Sequence, residues 1–462
     1  MWIVRITPFD KKVLHILHFY VTINARRQHF MERKMILKLL KWKNNPNKQP
    51  LLLQGARQVG KTYTLLTFGK SYYKNVVYVN MEKSMDYIAV FHRDLDPYRI
   101  IHELEVLTGQ TIIPKDTLLI IDEIQACEQA LTSLKYFAEE ASEFHVVAAG
   151  RLLGVAMKRG QYSFPVCKVD MLYLHPMDFE EFLWALGEKK FYGLIKESYI
   201  SMTQFSYHEK ALDLYKLYLV IGGLPRVVAD YVEKKDFDFV RVAQNTLNDS
   251  YIADMAKYAT VHETTRIMGA WNSIPSQLAK ENKKFIYKVI RSGARGKDYE
   301  NALDWLNSAG MINKCVKVSL GYLPLISYEE IDAFKLYMVD TGLLCSKFDL
   351  PPSSVLHAPV SFNGFKGALT ENYVMQALIC NGYKPYYWTS NGKAEIDFLF
   401  QDREGNIIPV EVKADDHVKS KSLDVYREKF EPNYAIRISS RNFGFVNKIK
   451  SIPLYAVSCI DM

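Results

Sequence analysis

Residues 55–62 read Gly-Ala-Arg-Gln-Val-Gly-Lys-Thr, with Gly55 and Gly60 framing four residues ahead of Lys61 and Thr62. Chain of this type can wrap phosphate oxygens. The two glycines permit an arc in which the N–H groups of Ala56, Arg57, Gln58 and Val59 turn inward. A helix opening at Lys61 adds the favourable end of its dipole. Lys61 can then reach the β- and γ-phosphates as a point charge, and the Thr62 hydroxyl can ligate Mg²⁺. The second half of such a site is a buried strand ending in carboxylates, and Thr117-Leu118-Leu119-Ile120-Ile121-Asp122-Glu123 supplies it. Asp122 is expected in the Mg²⁺ shell and Glu123 as the general base that polarises an attacking water. The paired acids point to a hydrolase rather than a switch without a base. The expected ligands are ATP and Mg²⁺.

A second constellation lies near the C-terminus. A helix with Ala368, Leu369, Tyr373, Val374 and Leu378 turned inward carries Glu371. A strand over Ala394–Phe400 carries Glu395 and Asp397, and a strand over Ile407–Val412 ends in Glu411-Val412-Lys413. Alternation puts Glu411 and Lys413 on one face. Helix Glu, strand Asp and E-x-K resemble the layout of the PD-(D/E)xK nuclease fold. That resemblance implies Asp397 and Glu411 sharing one or two Mg²⁺ ions, Lys413 positioning or deprotonating water, and Glu371 acting through the metal shell. E-x-K by itself is weak, since it also begins at Glu32, Glu188, Glu233 and Glu281. Only the one at Glu411 follows an apolar strand with an upstream strand Asp.

These residues need elements to hold them. Pro50–Gln54 suits a buried strand leading into the loop, and Thr62–Phe68 suits the helix after it. Val76–Val79 before Asn80, and Phe144–Ala149 before Gly150-Arg151, complete a parallel sheet of βαβ units. Arg151, at the end of the last strand, either contacts phosphate or is an exposed surface arginine. Asp178 with Glu181 three residues on predicts a capping box. Residues 188–262 read as a helical lid, broken at Gly222-Gly223-Leu224-Pro225. Within it, Asp254 and Lys257 read as an ion pair on a solvated face, or as an interdomain contact. Residues 263–350 read as two further helical segments, Ser276–Asn282 and Lys284–Ile290, a helix over Lys297–Ser308 and then strands, the order of a winged helix. Lys283, Lys284, Lys288, Arg291, Arg295 and Lys297 crowd its first half, either for nucleic acid or as solvated lysines on a rigid protein–protein adapter. Pro351-Pro352-Ser353-Ser354 is a linker by composition.

From about Met31 onward the chain resembles a large prokaryotic family of P-loop ATPases of the AAA type, which join the ATPase to a C-terminal region of unknown function. The residues that carry the resemblance are LLLQGARQVGKT (51–62), LLIIDEIQ (118–125), SFPV (163–166), HPMDFEEFL (175–183) and GGLP (222–225). The chain departs at Arg151, where the family pattern resembles Gly-Ser. The departure leaves the γ-phosphate sensor unassigned and implies slow hydrolysis.

Composition excludes several other classes. At 462 residues, 48% hydrophobic and 24% charged, the chain is neither disordered nor a disulfide scaffold. Its six cysteines are scattered without a C-x-x-C pair, as expected in a reducing cytoplasm. No apolar stretch reaches the roughly 18 residues of a membrane span. The net charge is +8, of which residues 1–30 hold five basic residues and one acid. Those residues are expected to be a start-site artefact or extension, with the working chain beginning near Met31. Residues 365–462 hold 13 basic and 12 acidic side chains, which gives no broad basic surface. The expected architecture is α/β: a P-loop ATPase core with a parallel sheet (31–187), helical lid (188–262), winged helix (263–350) and restriction-endonuclease-like domain (351–462). The function expected from it is a cytoplasmic ATPase coupling nucleotide state to a nuclease-like domain in DNA processing or defence. The alternative is an ATP-dependent signalling or scaffold switch with a degenerate nuclease-like domain. Its partners are expected to be nucleic acid at 283–297 and the C-terminal domain, protein partners or further copies of the chain, and no membrane.

Overall fold

The computed structural model describes residues 32–150, 168–357, 363–390, 392, 394–414 and 421–460. Residues 1–30, Arg151, Asn391 and the 163–166 segment therefore lie outside the described residues.

Strands β1 (Leu51–Gln54), β2 (Asn75–Asn80), β3 (Thr117–Asp122), β4 (His145–Gly150) and β5 (Asp170–Tyr173) form one sheet in the order β2-β3-β4-β1-β5. Every pairing in it is parallel. Both faces are covered, as parallel sheets require. Leu51, Leu53, Leu118, Ile120, Val147 and Ala149 face a core shared with the rest of the chain. Their neighbours Leu52, Leu119, Ile121, Val146 and Ala148 face the helices Met85–Arg93, Pro97–Thr108 and Glu128–Glu140. The register sets Gln54 beside Gly150 and Asn80 beside Asp122, so the strand ends that carry chemistry share one edge. β5 was not among the expected strands. It is short and its side chains alternate between half-buried and exposed, which leaves little apolar signal.

Residues 188–262 are helical as read: Lys189–Ser201, His208–Ile221, Pro225–Lys234 and Phe237–Tyr258. The break at 222–225 is enforced by close approach. A Cβ on Gly222 would run into the Asp340 carboxylate, and one on Gly223 into the carbonyl of Met177. Gly222 also has a positive φ of 78°.

The next region departs from expectation. One helix, Val261–Leu278, runs straight through the expected boundary at 262/263 and takes in Pro275. The expected helix over Lys284–Ile290 is only a 3₁₀ turn, Tyr287–Val289. Phe285 is instead tied in extended form, its N–H donating to the carbonyl of Phe334 at 2.8 Å and its ring stacked on Phe334. After the helix Gly296–Ser308 come β6 (Ile312–Val318) and β7 (Glu329–Met338), an antiparallel pair. That hairpin does not stand apart. β6 pairs in parallel with β8 (Tyr386–Ser390). With β9 (Ala394–Gln401), β10 (Ile407–Val412), β11 (Ala435–Ser439), β12 (Gly444–Val446) and β13 (Ile449–Pro453) it builds an eight-stranded sheet, β12-β13-β11-β10-β9-β8-β6-β7. The sheet crosses the expected boundary at 350/351, because the hydrogen-bonding edge of β6 is met by β8 and not by solvent. Glu371 sits on the helix Asn363–Cys380 that packs against this sheet.

Candidate functional site

The glycine-framed loop 55–60 leaves β1 at Gln54 and enters the helix Lys61–Tyr72 through Gly60, whose φ of 91° makes it a left-handed N-cap. A Cβ on Gly55 would collide with the carbonyl of Leu174. Between the glycines, Ala56 and Val59 are buried, Arg57 is half-buried and Gln58 is exposed. Gln58 has a φ of 65°, a conformation side chains avoid unless the surroundings impose it.

The side chains after the loop converge. Lys61 Nζ donates to the carbonyls of Gly55 at 2.9 Å and Ala56 at 3.0 Å, which holds the ammonium over the arc. The Thr62 hydroxyl donates to Asp122 Oδ2 at 2.6 Å. Asp122 is buried and also accepts from the Tyr78 hydroxyl at 2.9 Å and, through Oδ1, from the Glu123 N–H at 2.9 Å. Glu123 is left-handed, with a φ of 52°. That turn takes its carboxylate out of the strand, where Oε2 accepts from Gln125 Nε2 at 2.5 Å. Thr62 and Asp122 thus juxtapose a hydroxyl and a carboxylate oxygen, the hard donors Mg²⁺ takes beside nucleotide phosphates, and the residues fit that ion. Tyr78 was missed from the sequence. Its signal was position, two residues before the β2 residue in register with Asp122.

Two supports come from far along the chain. Arg33, buried, donates from Nη1 to the carbonyl of Val59 at 2.7 Å, from Nη2 to the carbonyl of His175 at 2.6 Å, and from Nε to Glu181 Oε2 at 3.0 Å. The capping interaction at Asp178 is half of what the spacing suggested. Asp178 Oδ1 accepts from the Glu181 N–H at 2.9 Å. The Glu181 carboxylate turns instead to Arg33 and to the N–H of Lys34. The second support is Asp254, which pairs with Arg57, while Lys257 pairs with Glu82 at 3.0 Å. The solvated i,i+3 pair is replaced by contacts between segments.

In the C-terminal constellation Lys413 Nζ lies 2.8 Å from Glu411 Oε1. Asp397 Oδ2 accepts from the Val412 N–H at 2.8 Å. Burial, and then the nearby Glu371, push Asp397 up to about 7. Glu371, however, is already engaged. It accepts from the Tyr337 hydroxyl at 3.1 Å and pairs with Lys283, and Lys335 Nζ stands 3.9 Å away. Burial disfavours its charge, but Lys335 and Lys283 hold its pKa below the ordinary carboxylate value. Lys335 itself is 1% exposed and lies 2.5 Å from Glu395 Oε1. Burial opposes its charge, and Glu371, Glu395 and Asp397 outweigh that and keep it protonated. Among the described residues no group of three or more His, Cys, Asp and Glu side chains is placed to hold a metal ion. Glu371, expected to act through a metal shell, is thus held by Tyr337, Lys283 and Lys335, and Lys335 is a residue sequence reasoning did not single out. One carboxylate oxygen, Glu411 Oε2, is buried without a hydrogen-bond partner.

The basic cluster also divides. Lys283 turns in to Glu371, while Lys284, Lys288, Arg291, Arg295 and Lys297 are exposed. Among the described residues no helix is long and apolar enough to cross a membrane.

Comparison with known families places an AAA domain at residues 47–183. Residues 212–354 match a domain of unknown function (DUF8612), and residues 366–457 match another (DUF4143). No curated protein matches the chain. Among solved structures, the Walker-type ATPase PABY2304 of Pyrococcus abyssi is similar at 13% identity, over 69% of this chain and 96% of its own, with a TM-score of 0.43. The Aeropyrum pernix ORC2 protein is similar at 13% identity, over 77% and 93%, with a TM-score of 0.36.

Proposed function

We propose that the chain binds ATP at Gly55–Thr62 and hydrolyses it to ADP and phosphate. The observation that carries this is the joining of Thr62 to Asp122 at the edge where Lys61 and Glu123 also stand. The N–H groups of the loop and the Lys61 ammonium neutralise the triphosphate. Glu123 takes the proton of the water that attacks the γ-phosphorus, and the bond to the β–γ bridging oxygen breaks. Mg²⁺, held by Thr62 and Asp122, supplies charge stabilisation to the phosphate oxygens when it is bound. The test is ATP turnover by the wild type against Lys61→Ala and Glu123→Gln. Equal turnover in all three would overturn the assignment.

For the C-terminal domain, the order Glu371, Asp397, Glu411, Lys413 supports a nuclease-like reading, and the five exposed cations between 284 and 297 would serve nucleic acid. The lysines on Glu371 favour the other reading, an ATP-dependent switch acting through partners, with a domain that does not cut. Incubation with DNA and RNA in Mg²⁺ or Mn²⁺, with and without ATP, separates them. Cleavage lost in Asp397→Asn supports the first, and absence of cleavage supports the second.

A further inference from the structure

One helix grips the phosphate loop from outside the ATPase sheet. On Phe237–Tyr258, the Asp254 carboxylate pairs with the guanidinium of Arg57, and the Tyr251 hydroxyl donates to the Arg57 carbonyl at 3.0 Å. One turn further, Lys257 holds Glu82, just past the end of β2. Residues 251, 254 and 257 are three apart, so they lie along one face of the helix. Arg57 is thus anchored at both its side chain and its carbonyl, on the residue immediately before Gln58. Gln58 is the loop residue held at a φ of 65°. A non-glycine residue there is strained and persists only where its surroundings over-determine it. Its two neighbours are both tied down, Arg57 by Asp254 and Tyr251 and Val59 by Arg33.

The grip is built to last and is connected onward. Asp254 is 7% exposed and Tyr251 1% exposed, while the Arg57 side chain is 31% exposed, so solvent reaches the pair from the arginine side only. The Tyr251 ring meets Trp271 edge to face, with centroids 6.1 Å apart, on the helix Val261–Leu278. The segment that leaves that helix carries Lys283 to Glu371. The helix that meets Tyr251 at Trp271 thus leads, through the segment after Leu278, to the Lys283–Glu371 pair.

We propose that Asp254 is a positioning residue for the nucleotide site. Through Arg57 it holds the loop in the arc that receives phosphates, so that nucleotide occupancy and the seating of the helix Phe237–Tyr258 are linked. Linkage is reciprocal: a helix that favours the bound loop must itself be favoured by the nucleotide. The inference rests on the ATP-site reading above, and goes beyond it in naming the element that feels the nucleotide.

The experiment uses the full chain, a fluorescent ADP analogue and backbone hydrogen exchange. Asp254→Asn is expected to weaken ADP binding by about 5- to 150-fold, the usual range of such couplings. It should also abolish the ADP-induced slowing of exchange expected in 237–258. Tyr251→Phe, which removes only the hydroxyl, should weaken binding less, and Asp254→Glu, which keeps the charge, should restore most of it. These two variants keep the test readable if Asp254→Asn folds poorly. Wild-type affinity and wild-type exchange protection in folded Asp254→Asn and Tyr251→Phe would overturn the proposal while leaving the ATP site standing. ADP binding that is absent from the wild type, or unchanged in Lys61→Ala, would overturn both.

Discussion

Thr62 and Asp122, sixty residues apart, are joined by a 2.6 Å hydrogen bond from hydroxyl to carboxylate. It links the first turn of the helix after the phosphate loop to the last residue of β3. Thr62→Ala and Asp122→Asn are therefore expected to raise the Mg²⁺ concentration needed for half-maximal ATP turnover by about 10- to 100-fold. A Mg²⁺ titration at saturating ATP checks this.

Arg33 is the keystone under the loop. Arg33→Met removes the donor to Val59 and leaves the buried Glu181 without its guanidinium. Stranding one member of a buried pair costs about 3–5 kcal/mol. Denaturant unfolding should show that loss, and nucleotide affinity should fall with it.

Lys335 predicts a different pattern. Lys335→Met should destabilise the chain by about 3–5 kcal/mol, because Glu371 loses one of its counter-charges and Glu395 its partner at 2.5 Å. Adding Glu371→Gln should recover part of that loss, which a double-mutant cycle measures. If the second substitution instead adds its full cost, the two groups do not interact.

Much of the ATPase core was legible because its signals are local. The glycine spacing at 55–60 and the apolar run ending in Asp122 each lie within one strand and one turn. The partners that hold these residues were not legible. Arg33 meets Glu181 at a separation of 148 residues, and Arg57 meets Asp254 at 197. In sequence, an Arg outside any helix or an Asp on one looks like any solvated charge. Lys335 was hidden for a related reason: within Phe334-Lys335-Leu336-Tyr337 it reads as the outward residue of a half-exposed strand. Only the packing of the helices Val261–Leu278 and Asn363–Cys380 against β7 buries it and brings Glu371 to Lys335. The short strand β5 and the collapse of Lys284–Ile290 to a single turn were likewise decided by tertiary packing.

Asp340 gives a pH signature. Its carboxylate is buried at the Gly222–Gly223 joint, accepting from the N–H groups of Gly223 at 2.6 Å and Leu343 at 3.0 Å. Burial pushes its pKa from 3.8 up to about 6, against the pull of those N–H groups. The folded state therefore binds this proton more tightly than the unfolded state. That contribution is complete below about pH 4 and is lost as the pH rises through about 6. The stability advantage of the wild type over Asp340→Asn should accordingly shrink between pH 4 and pH 7. Unfolding curves of both proteins across that range test it. A gap that widens with pH would contradict it.

If Gly55–Thr62 binds and turns over ATP, phosphate release reads it directly. Phosphate release from ATP by the full chain in Mg²⁺ should be measurable, and should fall about tenfold to a hundredfold or more in Lys61→Ala. That is the loss expected when charge-assisted bonds worth about 1.5–3 kcal/mol are removed from the phosphates. Turnover by Lys61→Ala equal to that of the wild type, in a variant shown to be folded, would contradict the account.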